Sequence, residues 1–343
     1  MDNSLWKLLK ELSHKKGITE VIINGPDHIY LEREGELIRL NAQVSLDDIL
    51  QFSHEVAHLN HSTIDDSHPI LDGLLPDGSR VNIVSQHYTS AAPAITIRKY
   101  LKEFSSFDDL EGKFGISQKW IEFFKALVQA RSNILISGGT GVGKTTFLNL
   151  FLQELPPTQR IITIEDTKEL ILGVPNCVRL FSKSFGTNHK DSVDTRVLVK
   201  NCLRMRPDRI IMGEVRGAEA YDLLQIMNTG HDGSMCTIHA NGPYESLIRL
   251  ETLYLLSGQD IPLKAIRQQM VKALDYIIQL EKDRNSGRIV SRVSEVVGME
   301  GEQVILQDIG VRAELGPEFT GLVPQKMAKL QEAGLGADFF MDI

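Results

Sequence analysis

Residues 134–150, Ile-Leu-Ile-Ser-Gly-Gly-Thr-Gly-Val-Gly-Lys-Thr-Thr-Phe-Leu-Asn-Leu, decide how this chain is read. Gly138, Gly139, Thr140, Gly141, Val142, Gly143, Lys144 and Thr145 match GxxxxGK[ST] without deviation, and Thr146 leads into a helical run. The order is physically required. An apolar strand brings the chain to the loop, and glycines let the backbone curl so that its N–H groups face phosphate oxygens. The helix that follows adds positive potential at its N-terminus. Lys144 is then placed to reach the β- and γ-phosphates, and the Thr145 hydroxyl to ligate Mg²⁺. ATP and Mg²⁺ are the expected substrate and metal.

Working outward, two more apolar runs end in acids. Arg209-Ile210-Ile211-Met212-Gly213-Glu214 places Glu214 just past a strand. Ile161 to Asp166 ends in Glu165 and Asp166. In an α/β sheet, ligands sit beyond the carboxyl ends of the strands, so one edge gathers the phosphate loop and both acids. Glu214 is a candidate to bind Mg²⁺ through water, to polarise the attacking water, or both. His239 ends the strand-like run Ser234 to Ile238, where a γ-phosphate contact and a purely structural role are both open. His231, Cys236 and His239 lack a fourth ligand at a suitable spacing, so they do not make a zinc site. His54, His58 and His61 recur at helical spacing and read as a solvated helix face. Hydrolysis builds charge on the γ-phosphate, and Arg80, Arg98, Arg204 and Arg206 are candidates to offset it.

The chain has 343 residues, 42% hydrophobic and 24% charged. That length predicts about two domains and excludes disorder as the main state. No stretch approaches the roughly 18 apolar residues of a membrane span. The first residues lack a signal peptide's apolar centre. Cys177, Cys202 and Cys236 form no CxxC pair, which points to a reducing cytoplasm. The first 110 residues hold 17 acidic and 10 basic side chains, the rest 28 and 27. An acidic first third is a poor surface for nucleic acid, so no nucleic-acid partner is expected.

Residues 1–100 read as a small α+β unit. Strands are expected at Thr19 to Asn24, His28 to Glu32, Glu36 to Leu40, Arg80 to Val84 and Ala94 to Arg98. A Ser-capped helix is expected over Ser45 to Asn60. Lys99 to Lys113 is charged and reads as a linker and hinge, which sets the boundaries at 1–100, 101–115 and 116–343. From Ser117 onward helical runs alternate with Ile-rich strands, the pattern of an α/β domain with a parallel sheet. The tail looks different, with antiparallel strands expected at Tyr276 to Leu280 and Gly287 to Val297 around the Asn285-Ser286-Gly287 turn.

Taken together, Gly138 to Thr145, Ile161 to Leu170, Arg206 to Glu214 and Gly230 to Asn241 resemble four ordered motifs: Walker A, Asp box, atypical Walker B and His box. These belong to the secretion ATPases of type II and type IV secretion and type IV pilus assembly. Further stretches resemble the tight-adherence (Tad, CpaF-type) pilus ATPases: Ile22 to Pro26, Leu75 to Asn82, Ile95 to Lys99, Asn201 to Asp208, Gly213 to Gly217, Asn228 to Gly233, Thr237 to Asn241 and Glu295 to Glu300. The tetracysteine zinc module of type II secretion relatives is absent. The resemblance implies a RecA-like P-loop domain preceded by a smaller, PAS-like α+β domain. It implies a homo-hexameric motor, cytoplasmic and peripheral at the inner membrane, acting on membrane platform proteins. ATP is expected between the two domains. Glu214 becomes the catalytic glutamate, Glu165 the Asp-box acid and His239 the γ-phosphate histidine, beside Lys144. Arg80 and Arg98 become phosphate contacts, while Arg204, Arg206 and Arg216 become subunit-interface candidates. Another type II or type IV secretion system, pilus retraction, or nucleic-acid translocation are the alternative tasks for such a motor.

Overall fold

The computed structural model describes residues 3–15, 17–33, 36–90, 92–99, 106–110, 113–182, 193–283, 287–313 and 316–341. They divide into two units, residues 3–99 and 106–341.

The smaller unit opens with α1 (Ser4–Ser13), capped by the Asn3 side chain, which accepts from the Leu5 N–H. Then come β1 (Ile18–Ile23), β2 (Ile29–Arg33), β3 (Glu36–Arg39), α2 (Leu46–Leu59), β4 (Ile70–Leu74), β5 (Arg80–Val84) and β6 (Ala94–Arg98). Ser45 caps α2 by accepting the Asp48 N–H at 3.0 Å. The strands pair antiparallel in the order β3-β2-β1-β6-β5-β4. Alternation decides what each face meets. Val21, Ile23, Val81, Ile83, Ile95 and Ile97 are buried with Leu5, Ile49, Phe52 and Val56 of the helices. Arg80 and Arg98 lie on the other face, directly opposite one another across β5 and β6. His54 and His58 are exposed on α2.

The larger unit runs α3 (Gln118–Gln129), β7 (Ile134–Gly138), α4 (Lys144–Gln153), β8 (Ile161–Glu165), β9 (Cys177–Phe181), α5 (Thr195–Cys202), β10 (Arg209–Met212), α6 (Glu219–Met227), β11 (Met235–Ile238), α7 (Pro243–Leu255), α8 (Leu263–Ala273), β12 (Tyr276–Asp283), β13 (Gly287–Glu300), β14 (Gln303–Arg312), β15 (Pro317–Phe319), α9 (Met327–Glu332) and α10 (Asp338–Met341). One sheet carries it, ordered β15-β14-β13-β12-β7-β11-β10-β8-β9. Ile134 and Ile136 face a core built with α3 and α4, where Trp120, Phe123, Phe124, Phe147 and Phe151 pack edge to face. Leu135 faces the opposite core, built with α5 to α8. A strand buried on both faces must be apolar throughout, which is why these runs lack polar alternation.

Two segments behave differently from their sequence reading. The antiparallel tail forms as expected, but β12 also pairs in parallel with β7, from Tyr276 opposite Ile134 to Leu280 opposite Gly138. The tail therefore continues the sheet that carries β7. The turn residues Asn285 and Ser286 lie outside the described residues. Within the expected linker, Phe107 and Leu110 are fully buried in the larger core, and the Phe107 ring stands 5.0 Å from that of Phe151. Residues 100–105 and 111–112 of that stretch lie outside the described residues.

Candidate nucleotide site

The phosphate loop is shaped by its glycines. Gly141 and Gly143 hold φ of +73° and +95°, a left-handed conformation that L side chains rarely adopt. A side chain on Gly138 would collide with Val142 at 2.6 Å and with the Leu280 carbonyl at 2.7 Å. Val142, buried, pins the loop onto the core. Gly139 is under no such steric demand. Thr145 and Thr146 open α4 beside Lys144, half-buried, with their backbone in the first turn where helix N–H groups lack intrahelical partners.

Lys144 is buried, and its ammonium donates to the Gly138 and Gly139 carbonyls at 2.9 and 2.7 Å. It also approaches His239 Nδ1 at 3.2 Å. His239 Nε2 stands 3.2 Å from Glu214 Oε1. Glu214 Oε2 accepts from Arg216 at 2.8 Å, and Arg216 reaches Asp166 at 3.3 Å. One chain of contacts thus links the loop lysine, His239 after β11, Glu214 after β10 and Asp166 after β8. The ammonium also lies 3.4 Å from Nε2; since a lysine only donates and a carboxylate only accepts, the tautomer that suits both neighbours accepts at Nδ1 and donates from Nε2 to Glu214. Burial holds the His239 pKa below its ordinary value. Glu214 opposes this, while Lys144, Arg216 and Arg249 reinforce it. The ring is therefore neutral at neutral pH. Bonding to Glu214 raises the Arg216 pKa, which keeps that guanidinium charged.

Backbone bonds set this geometry. Gly213 extends β10 by donating to the Ile164 carbonyl at 2.9 Å, and its own carbonyl accepts from Thr237. Val215 N–H donates to the Thr237 carbonyl, so Glu214 is held on both sides. Glu219 then accepts from the Arg216 and Gly217 N–H groups and starts α6.

Glu165 is held differently. Its side chain is 2% exposed. It accepts from Thr163, from the Glu169 and Leu170 N–H groups, and from Arg179 at 2.9 Å. Both oxygens are occupied by groups that fold the Asp box, so its geometry is that of a clamp and not of a free acid. Asn149 and Gln153 of α4 bond the same segment, at Glu169, Ile171 and again Ile171. Arg179, Asn149 and Gln153 carry no recognisable motif. Their roles depend on β9 lying beside β8 and on α4 lying over the Asp box.

The arginine candidates separate. Arg216, expected at a subunit interface, pairs within its own chain. Arg204 and Arg206 are exposed in the turn before β10, at the end of the parallel strands opposite the phosphate loop. Arg80 and Arg98 belong to the smaller unit. Among the described residues no cluster of three or more His, Cys, Asp or Glu side chains fits a metal. His231, bonded to the Ile226 carbonyl, and buried Cys236 do not join His239 in one.

Residues 5–304 match the family model described as Type II/IV secretion system protein. The conjugal transfer protein TrbB of Rhizobium radiobacter is 33% identical over 83% of this chain and 84% of its own. The type IV secretion system protein VirB11 of Brucella suis is 31% identical over 80% and 85%. The Legionella pneumophila ATPase DotB shares the fold, with a TM-score of 0.62 at 19% identity over 88% of this chain and 82% of that one. With a complete phosphate loop and an acid–histidine pair at one sheet edge, the chain belongs to the Type II/IV secretion system protein family and is an ATPase.

Proposed function

We propose that the chain is the motor of a cell-envelope secretion or pilus machine and that Glu214 is its catalytic glutamate. The carrying observation is the contact chain from Lys144 through His239 to Glu214. Lys144 exchanges its two loop carbonyls for phosphate oxygens. Neutral His239 couples the lysine to the acid, so a phosphate that draws Lys144 away also frees Glu214 to orient water. Arg216 holds the Glu214 carboxylate at a fixed angle. The residues present suit Mg²⁺: a half-buried threonine hydroxyl at the helix start and a carboxylate across the loop, both oxygen donors. Thr145 would hold the ion and Glu214 would contact it through water. When bound, Mg²⁺ offsets the charge on the phosphates. Arg80 and Arg98 are proposed phosphate contacts, and Arg204 and Arg206 contacts across subunits of a homo-hexamer.

The machine is proposed to be of the tight-adherence pilus kind, cytoplasmic and acting on inner-membrane platform proteins, on the strength of the sequence blocks that resemble that subfamily. The named relatives support a second reading, a conjugation or type IV secretion system, at 31–33% identity. Among the described residues no helix is long and apolar enough to cross a membrane. The test is hydrolysis and ATP binding by the full chain and by Glu214→Gln. Binding without turnover supports the assignment, and undiminished turnover overturns it. Co-purification with tight-adherence platform proteins, set against conjugation-system proteins, separates the two machines. Strong stimulation by single-stranded DNA would favour a translocase instead.

A further inference from the structure

The sheet order gives the phosphate loop two flanks. β7 has β11 and β10 on one side, with His239 and Glu214 at their ends, and β12 and β13 on the other. If the γ-phosphate lies towards His239 and Glu214, as proposed above, the nucleoside is directed to the opposite flank. Two side chains from outside the loop meet it there. A methyl group on Gly143 would stand 3.2 Å from Phe114 Cζ and 3.3 Å from Arg288 Cδ.

Neither residue arrives by chance packing. Phe114 bridges to Ile289, and its carbonyl accepts the Val290 N–H at 3.0 Å, so backbone bonds fix it beside the start of β13. Its φ is +53°, a conformation that non-glycine residues adopt at a cost and that concentrates at functional positions. Its ring packs 5.7 Å from that of Phe147, on the helix the loop feeds. Arg288 is half-buried against the loop. Arginine planes and aromatic rings are both surfaces on which a nucleobase stacks.

We propose that Arg288 and Phe114 form the nucleoside end of the site, with the base laid on the Arg288 guanidinium and the Phe114 ring as the wall behind it. This rests on the nucleotide reading above. Arg288 is a positioning group for the base and takes no part in phosphoryl transfer.

Calorimetric titration of the full chain with ATP and with inorganic tripolyphosphate tests it. Arg288→Ala should weaken ATP on the order of tenfold and leave tripolyphosphate unchanged. Arg288→Lys keeps the charge but loses the plane, and should resemble Arg288→Ala. Phe114→Leu preserves core volume and should show a smaller loss in the same direction. Unchanged ATP affinity in both Arg288 variants overturns the proposal. So does an equal loss for both ligands, which would make Arg288 a phosphate contact. Lys144→Ala, which should weaken both ligands, tests the nucleotide reading separately. Wild-type protein that binds neither ligand overturns that reading and this one with it.

Discussion

The ends of β8 and β10 look alike in sequence, an apolar run closed by a glutamate, yet their surroundings differ. Glu165 is closed in, its oxygens filled by two backbone N–H groups, a threonine and Arg179. Glu214 is 17% exposed, and its partners are a histidine and an arginine at the ligand edge. Bonds to backbone fix a carboxylate permanently. Bonds to side chains that themselves face a ligand can be exchanged when the ligand arrives. The geometry of the first acid is that of a clamp, and that of the second suits the catalytic role proposed for it.

The largest effect that could break this contrast is on turnover. Glu214→Gln should retain ATP binding and lose hydrolysis by about 10²- to 10⁴-fold, the range of a general base. Steady-state hydrolysis beside an equilibrium binding curve measures it.

Glu165→Gln should act on folding first, since one member of a buried pair is neutralised while Arg179 stays charged. The expected loss is about 3 kcal/mol in denaturant unfolding. An unchanged unfolding midpoint with abolished turnover would make the two acids equivalent and end the distinction.

Arg216→Ala releases both Glu214 and Asp166 and should lower kcat on the order of tenfold through misorientation of the acid. Because these pairs are partly exposed, the stability change should stay below about 1 kcal/mol. A loss confined to KM would contradict the positioning role.

The smallest effect is a titration. In the wild type the His239 resonance should titrate below its ordinary pKa, because burial and three cations disfavour the imidazolium. Lys144→Met removes one cation and should move the value up. Glu214→Gln removes the single opposing charge and should move it down, while Glu165→Gln should leave it in place. NMR titration of the ring reads all three, and a shift in Glu165→Gln alone would reverse the assignment.

Much of the site was legible from short motifs because phosphate chemistry demands a particular local backbone. The run Gly138 to Thr145 specifies loop, lysine and helix start together, and Glu214 and His239 follow as the ends of the neighbouring strands. The partnership of those ends was not legible. Nothing local to Arg216 says that it bonds Glu214 and Asp166 of its own chain. Nothing local to Arg179 says that it closes over Glu165. Asn133 shows the same limit at the other end of β7. Its side chain accepts from the Gly233 and Ser234 N–H groups and donates to the Ala273 carbonyl, while its N–H bonds Asp275. One asparagine thus ties β7 to the starts of β11 and β12 across about 100 to 140 residues of sequence.

By itself the sequence determined many of the elements, though not α1, β4, β9, β14 or β15, and the shape of the loop: apolar runs become strands, capped amphipathic runs become helices, and the glycines curl the backbone ahead of α4. These follow from local forces, the steric freedom of glycine, helix capping and the burial of apolar faces. Only the tertiary structure decided that the tail strand β12 lies beside β7, that Phe107 belongs to a core, and which of two similar glutamates is closed in by backbone N–H groups. Those outcomes depend on which strands become neighbours. That choice is made by the summed packing of residues far apart in the chain, and no short stretch records it.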